Sequence, residues 1–307
     1  MRLISTLTET GETLGVAVGD RWLPAAELAG GGPATIAQLL AGGRPAANAL
    51  RAAVAADARR FAETSRTIDG LDLLPPVSRP GKIVAIGRNY REHVEEEAAT
   101  APEAPLIFAK FPSALVGDGA EIRWDPALTA QVDWEAELAV VIGSPARNVS
   151  VDQALEHVLG YTCLNDVSAR DLQFGDGQWT RGKSLDTFCP MGPALVTADE
   201  VGDPQTLRIR CFVDGERVQD STTGLMYFGV AEIISHCSRA FTLEPGDVIA
   251  TGTPGGVGAF REPPRFLADG SEVVVEIDRI GRLRNVCRTR EADEALVGPA
   301  VVEGVAG

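Results

Sequence analysis

Residues 133–142, Asp-Trp-Glu-Ala-Glu-Leu-Ala-Val-Val-Ile, place two carboxylates inside an otherwise apolar, β-like run. Side chains alternate faces along a strand, so Glu135 and Glu137 project together while Trp134, Leu138, Val140 and Ile142 project the other way. At a rise of ~3.3 Å per residue the two carboxylates stand roughly 6–7 Å apart on one face. Burying neighbouring anions is costly unless something positive lies between them, and a divalent cation is the simplest neutraliser. The same pattern also fits an edge strand whose acidic face meets water, so the rest of the chain has to decide.

With 307 residues, 45% hydrophobic and 23% charged, the chain can bury a sizeable core in one large domain or two smaller ones. Charged and polar residues follow Met1 too soon for a signal peptide, and no apolar run approaches the ~20 residues that cross a bilayer. A cytoplasmic protein with no membrane partner is expected. The five cysteines (163, 189, 211, 237 and 287) are widely spaced and form no C-x-x-C pair, which predicts buried reduced thiols rather than disulfides or a zinc knuckle. A net charge of −15 without a basic stripe repels a phosphate backbone, so no nucleic-acid partner is expected.

Arg2 to Thr6 and Leu14 to Val18 read as strands, and Gly19-Asp20 turns the chain into Arg21-Trp22-Leu23, a small β meander. The alanine-rich residues 46–62 predict a surface helix. Breakers between Leu71 and Gly81 place a boundary between a small N-terminal α/β domain (1–75) and a main domain (76–295), with a loosely ordered tail at 296–307. Lys82 to Gly87 is a buried-type strand leading to a helix on which His93 and Glu96, three residues apart, share a face. Such a pair suits a base and its orienter, or simply a solvated helix surface. Leu106 to Lys110 reads as a further strand.

Ser150 and Gln153 form a capping-box pattern that predicts a helix from Val151 to Leu159, stopped by Gly160, with His157 structural. Tyr161 to Gln173 then runs from a strand into an amphipathic segment, with Asp166 at the junction. A third carboxylate there completes a facial set with Glu135 and Glu137, leaving positions for water and substrate, and all-oxygen ligation favours Mg²⁺, Mn²⁺ or Ca²⁺ over zinc. Gly177 to Ser184 matches the phosphate-loop pattern G-x-x-x-x-G-K-[ST] letter for letter. The segment before it is polar, and Pro190, Gly192 and Pro193 follow, so the strand and helix that such a loop needs are missing and no nucleotide site is expected. Leu207 to Val213 and Arg217 to Gln219 flank an Asp214-Gly215 turn as a hairpin, and residues 272–278 and 282–288 form a second. Residues 230–241 are helical with His236 at the flank, and Leu243 to Gly258 is a strand entering a glycine-rich loop that either binds an anion or merely turns.

Five segments in order carry a resemblance: Gly87-Arg-Asn-Tyr-x-x-His93, Asp133-Trp-Glu-x-Glu-Leu, Asn165-Asp-Val-Ser-Ala-Arg-Asp, Gly182-Lys-Ser-x-Asp-Thr-Phe-Cys-Pro and Pro245-Gly-Asp-Val-Ile-x-Thr-Gly-Thr-Pro-x-Gly-Val-Gly. From about residue 80 to 290 the chain resembles the fumarylacetoacetate hydrolase (FAH) family; residues 1–75 match only its variable N-terminal domain. The resemblance implies a mainly β, α+β fold, a mixed β-sandwich roll, usually homodimeric, with a divalent cation held by Glu135, Glu137 and Asp166. It implies that Lys183, Arg170, Gln173 and Thr253 line the substrate site, and that His93 with Glu96 is a water-activating dyad on a mobile lid.

These parts suit a hydrolase that cleaves a C–C bond in a small anionic 2,4-dioxo acid of the acylpyruvate type. The cation, Mg²⁺ or alternatively Mn²⁺ or Ca²⁺, stabilises the enolate, Lys183 and Arg170 offset the negative site, and the dyad activates water. A decarboxylase or isomerase of 2-oxo acids, such as oxaloacetate-like or hydroxydienedioate substrates, uses the same enolate without water attack. A non-catalytic relative that keeps the fold is a third possibility, opposed by the retention of all three presumed ligands and Lys183.

Overall fold

The computed structural model describes residues 1–28 and 30–290; the tail expected at 296–307 lies outside the described residues. Strands dominate, in two main sheets. The larger runs in the spatial order Arg66–Thr67, Arg21–Pro24, Gly11–Val18, Arg2–Thr8, Cys189–Thr197, Val158–Asn165, Ala136–Ile142, Val248–Ala250, Ile83–Gly87 and Leu106–Lys110. The smaller runs Glu216–Thr222, Arg208–Val213, Glu272–Ile277, Gly281–Thr289 and Glu121–Trp124.

The strand Ala136–Ile142 explains how the two sheets stack. It pairs antiparallel with Val158–Asn165 on one side and with Val248–Ala250 on the other, so it is internal. Leu138, Val140 and Ile142 enter a core shared with Ile209, Cys211, Val275 and Leu283 of the smaller sheet. Ala139 and Val141 enter a second core with Leu3, Leu14, Ile83, Leu164 and Val248. Both faces are sealed by apolar burial, which excludes the edge-strand alternative and leaves Glu135 and Glu137 at the open end of a dry layer.

The N-terminal strands belong to the same sheet: Arg2 pairs with Val196 and Leu3 with Leu195. The helix expected over 46–62 instead begins at Ile36, runs to Ala56 with non-helical geometry at Gly43 (φ 57°), and is followed by Ala58–Thr64. Thr35 caps it by accepting from the Gln38 amide, while Ile36 and Leu39 are buried. Gly43 (φ 57°, ψ −151°) leaves helical geometry and Pro45 follows two residues on, so the Gly42-Gly43-Arg44-Pro45 run separates two helical stretches, one before it and one after it.

The helix expected at 151–159 ends early. It spans Val151–Ala154, continues as a 3₁₀ turn over Leu155–His157, and gives way to the strand Val158–Asn165. The Ser150 hydroxyl donates to Gln153 Oε1 (3.1 Å) instead of capping a backbone amide. Gly160 therefore lies inside a strand, where a Cβ would sit 2.2 Å from the Val196 carbonyl oxygen; close strand approach, and not helix termination, requires it. The two hairpins occur as read, the first turning through Asp214 (φ 53°) and Gly215 (φ 81°). Among the described residues no helix is long and apolar enough to cross a membrane, and all five cysteines are buried and free.

Candidate active site

The site begins where two neighbouring strands are fastened at one end. The Asp166 amide donates to the Glu135 carbonyl (2.9 Å), and the Glu135 amide donates to Asn165 Oδ1 (3.0 Å). This brings Asp166, just past the strand Val158–Asn165, beside Glu135 and Glu137. Each of the three buried carboxylates offers an oxygen, and these atoms lie within 4.8 Å of one another.

Three cations face them. Lys183 Nζ lies 2.7 Å from Glu135 Oε2 and 3.0 Å from Asp166 Oδ2. Arg170 Nη1 lies 2.7 Å from Glu135 Oε1 and donates to Gln173 Oε1 (2.9 Å), while its Nε donates to Asp133 Oδ2 (2.8 Å). Lys110 Nζ lies 2.6 Å from Asp166 Oδ1. Burial alone raises the Glu135 pKa, but the charges of Lys183 and Arg170 outweigh it and hold the carboxyl down to about 2. Glu137 forms no ion pair among the described residues and feels Lys183 only at a distance; one of its oxygens accepts from the Gly252 amide (2.8 Å). Burial, then the charges of Asp166 and Glu135, push its carboxyl well above the usual range. An anionic hard-oxygen set with one uncompensated member fits a divalent cation, which would relieve the repulsion among the three.

The glycine-rich loop after Val248–Ala250 does bind anions, and they are the chain's own. Gly252 holds Glu137, the Gly256 amide donates to Glu96 Oε2 (2.7 Å), and the amides of Gly258 and Ala259 donate to the two oxygens of Asp133 (2.7 and 3.0 Å). Thr253, also on this loop, accepts from Gln219 Nε2 (2.9 Å). One short loop thus positions an acidic residue of the triad, the partner of His93 and the anchor of Arg170.

His93 Nδ1 meets Glu96 Oε1 at 2.7 Å, as the helix spacing predicts, on the helix Arg91–Glu96. Its Nε2 meets a second carboxylate, Glu97 Oε1, at 3.1 Å, and Glu97 Oε2 accepts from Arg88 Nε (2.7 Å). Burial lowers the His93 pKa, but the hydrogen bonds to Glu96 and Glu97, with Glu135 behind them, raise it to about 9. A narrow cleft gathers these groups: Arg88, His93, Glu97, Glu135, Glu137, Arg170, Gln173, Trp179, Lys183 and Thr253 all line it. Glu96 stands behind His93, outside that lining.

The family description Fumarylacetoacetate (FAA) hydrolase C-terminal matches residues 82–288. The chain belongs to the fumarylacetoacetate hydrolase family. An oxaloacetate tautomerase of Xenopus laevis, named as mitochondrial, is 49% identical over 217 residues, covering 70% of this chain and 68% of the relative. The structure of a fumarylacetoacetate hydrolase from Exiguobacterium antarcticum superposes with a TM-score of 0.80 at 35% identity, over 94% of this chain and 100% of that one. Maleylpyruvate hydrolase from Sphingobium sp. SYK-6, solved with manganese(II) and pyruvate, superposes with a TM-score of 0.77 at 30% identity, over 95% and 100%.

In this FAH-family chain the candidate residues His93, Glu135, Glu137, Arg170, Gln173, Lys183 and Thr253 line the cleft, while Asp166 and Glu96 stand behind it, bound to Lys183 and His93 respectively. The sequence reading assigns no role to Lys110, Asp133, Arg88 or Glu97. Asp133 and Lys110 have remote partners, Gly258 being 125 positions from Asp133 and Asp166 56 from Lys110, whereas Glu97 stands four residues after His93, a spacing the helical repeat offered. The phosphate-loop look-alike ends in a single turn, Thr180–Lys183, whose lysine is bound to Glu135 and Asp166.

Proposed function

We propose that the protein is a divalent-cation-dependent enzyme of short 2-oxo acids, and that its reaction is keto–enol tautomerisation of an oxaloacetate-type substrate. The observation that carries this choice is the engagement of both His93 ring nitrogens, Nδ1 by Glu96 and Nε2 by Glu97. Either reaction needs a lone pair directed at the reacting atom, which an imidazole hydrogen-bonded at both nitrogens does not offer, so the proton acceptor in this cleft is a carboxylate. Glu97 lines the cleft beside His93; its carboxylate can take the C3 proton of the keto acid and return it to the enolate oxygen, a transfer between carbon and oxygen that consumes no water.

Glu135, Glu137 and Asp166 are the residues that would hold the cation, with Mg²⁺ or Mn²⁺ suited to the donor set. When bound there, a divalent ion supplies Lewis-acid stabilisation of the negative charge that builds on a 2-oxo oxygen. Lys183 fixes two of these carboxylates and adds positive charge where the substrate is anionic. Arg170 Nη2 is buried with no acceptor among the described residues, a donor left for the substrate's carboxylate. Gln173 and Thr253 complete the wall. The similarity to an oxaloacetate tautomerase supports this reading.

Hydrolysis of a 2,4-dioxo acid is the second reading, favoured by the 2.7 Å His93–Glu96 contact and the likeness to maleylpyruvate hydrolase. The two part in one experiment. With Mg²⁺ or Mn²⁺, the protein should speed the decay of enol-oxaloacetate absorbance without releasing pyruvate, and His93→Gln should slow it by roughly 10²–10⁴-fold. Release of pyruvate from acetylpyruvate, with no effect on oxaloacetate tautomers, would replace the first reading by the second.

A further inference from the structure

The deep cations of the cleft are already committed. Lys183 serves Glu135 and Asp166, Lys110 serves Asp166, and Arg170 serves Asp133, Glu135 and Gln173, leaving only its Nη2. The floor can therefore balance one carboxylate of an incoming acid. A second carboxylate needs a cation elsewhere; with both nitrogens of His93 taken by Glu96 and Glu97, the remaining cationic side chain in the lining is Arg88.

Arg88 is built to present its guanidinium. It follows the strand Ile83–Gly87 in the left-handed region (φ 55°), a conformation that non-glycine residues keep only where their surroundings enforce it. Its guanidinium lies 5.8 Å from the centroid of the Trp179 ring. Gly87 makes room for that indole, since a Cβ there would lie 2.4 Å from Trp179 Cζ3. Glu97 takes Nε (2.7 Å), and neither Nη atom donates to an acceptor among the described residues. The side chain is 39% exposed, against 2% for Arg170, so it stands at the mouth while Arg170 stands at the floor. A planar fork with two unengaged nitrogens matches a carboxylate.

We propose that Arg88 is a specificity-determining residue that binds the distal carboxylate of the substrate, so that the site selects dicarboxylic over monocarboxylic 2-oxo acids. Glu97 and Trp179 hold the guanidinium in place at the cleft mouth. The proposal rests on the 2-oxo acid reading of the site and narrows it to a substrate class.

Oxaloacetate and 2-oxobutyrate share a four-carbon skeleton and differ by a carboxylate in place of a methyl group, so their affinities isolate this contact. Calorimetric titration of each acid into the full chain with Mg²⁺ present should show a preference for oxaloacetate of about tenfold. Arg88→Gln should erase the preference while leaving 2-oxobutyrate affinity within about twofold of wild type. Arg88→Lys keeps the charge without the fork and should fall between; it decides the matter if the glutamine variant fails to fold. A preference unchanged in the variants, or equal weakening of both acids, overturns the assignment of Arg88 and leaves the 2-oxo acid reading standing. Binding of neither acid by the wild type overturns that reading and this proposal together.

Discussion

Lys110 Nζ lies 2.6 Å from Asp166 Oδ1, with both side chains closed to solvent. The same ammonium donates to the Val167 carbonyl (3.4 Å) and to the Lys183 carbonyl. A single charge at the end of the strand Leu106–Lys110 therefore fastens the strand-end carboxylate and the turn that presents Lys183. Buried ion pairs are weak evidence for net stability, but removing one partner strands the other in a dry site.

Lys110→Met should accordingly cost about 3–5 kcal/mol in the metal-free protein, because the buried Asp166 carboxyl loses the closer of its two cations, Lys183 at 3.0 Å remaining. Adding Mn²⁺ should shrink the deficit, since a bound ion replaces part of the missing charge. Chemical denaturation with chelator and then with Mn²⁺ checks both halves. A metal-free variant as stable as wild type would show that Lys110 is a bystander.

The His93 environment predicts a pH dependence with a definite sign. The folded-state pKa stands at about 9 against an ordinary 6.5, so the folded protein holds this proton more tightly. Its contribution is fully present below pH 6.5 and is lost as the pH rises through 9, on the order of 3 kcal/mol in all. Denaturation midpoints in chelator at pH 6.5 and 9 should therefore fall less in His93→Gln than in wild type. Equal falls would mean that the carboxylates do not hold the proton.

Period-two alternation puts Glu135 and Glu137 on one face, a strand end puts Asp166 at a cleft, and helix spacing pairs His93 with Glu96; these are local rules, and the structure obeys them. What local rules could not supply is reciprocity over distance. Asp133 stands in the same short run as Glu135, yet its work is to receive Gly258, Ala259 and Arg170. Glu97 is adjacent to Glu96, and a pairwise reading of the helix stops at the first carboxylate to meet His93. The glycine-rich loop reads as an anion binder, but nothing in its letters says that the anions are internal. The break at Gly43 and the strand position of Gly160 were hidden for another reason: glycine marks a breaker, a close approach and a turn with the same letter.

Glu137→Gln should act in opposite directions with and without metal. Burial, Asp166 and Glu135 all disfavour the Glu137 anion and raise its pKa, so its favourable contribution is present below pH 4.5 and is lost as the pH climbs from there. Replacing it with a neutral isostere should leave the metal-free protein at least as stable as wild type at pH 7. The stabilisation conferred by Mn²⁺, about 2.7 kcal/mol at a hundredfold excess over Kd, should vanish. A variant that still gains that increment would remove Glu137 from the cation site.

Gly252→Ala tests whether the loop, and not merely the carboxylates, builds the cation site. Gly252 has φ +99°, and a Cβ there would lie 2.8 Å from Asn89 Cβ and 3.1 Å from the Ile86 carbonyl oxygen. Asn89 has little freedom to retreat: its amide nitrogen donates to the Thr251 (2.8 Å) and Phe228 (3.0 Å) carbonyls, and its Oδ1 accepts from the Phe228 amide (2.9 Å). The loop must shift instead, and the Gly252 amide then leaves Glu137 without its one backbone donor. Loss of a ligand's supporting hydrogen bond costs about 10–100-fold in metal affinity, so Mn²⁺ binding should weaken by about tenfold or more while every carboxylate remains in place. Calorimetry with Mn²⁺, run beside a circular dichroism spectrum that confirms the fold, gives the answer; unchanged affinity in a folded variant would mean that the triad orients itself without the loop.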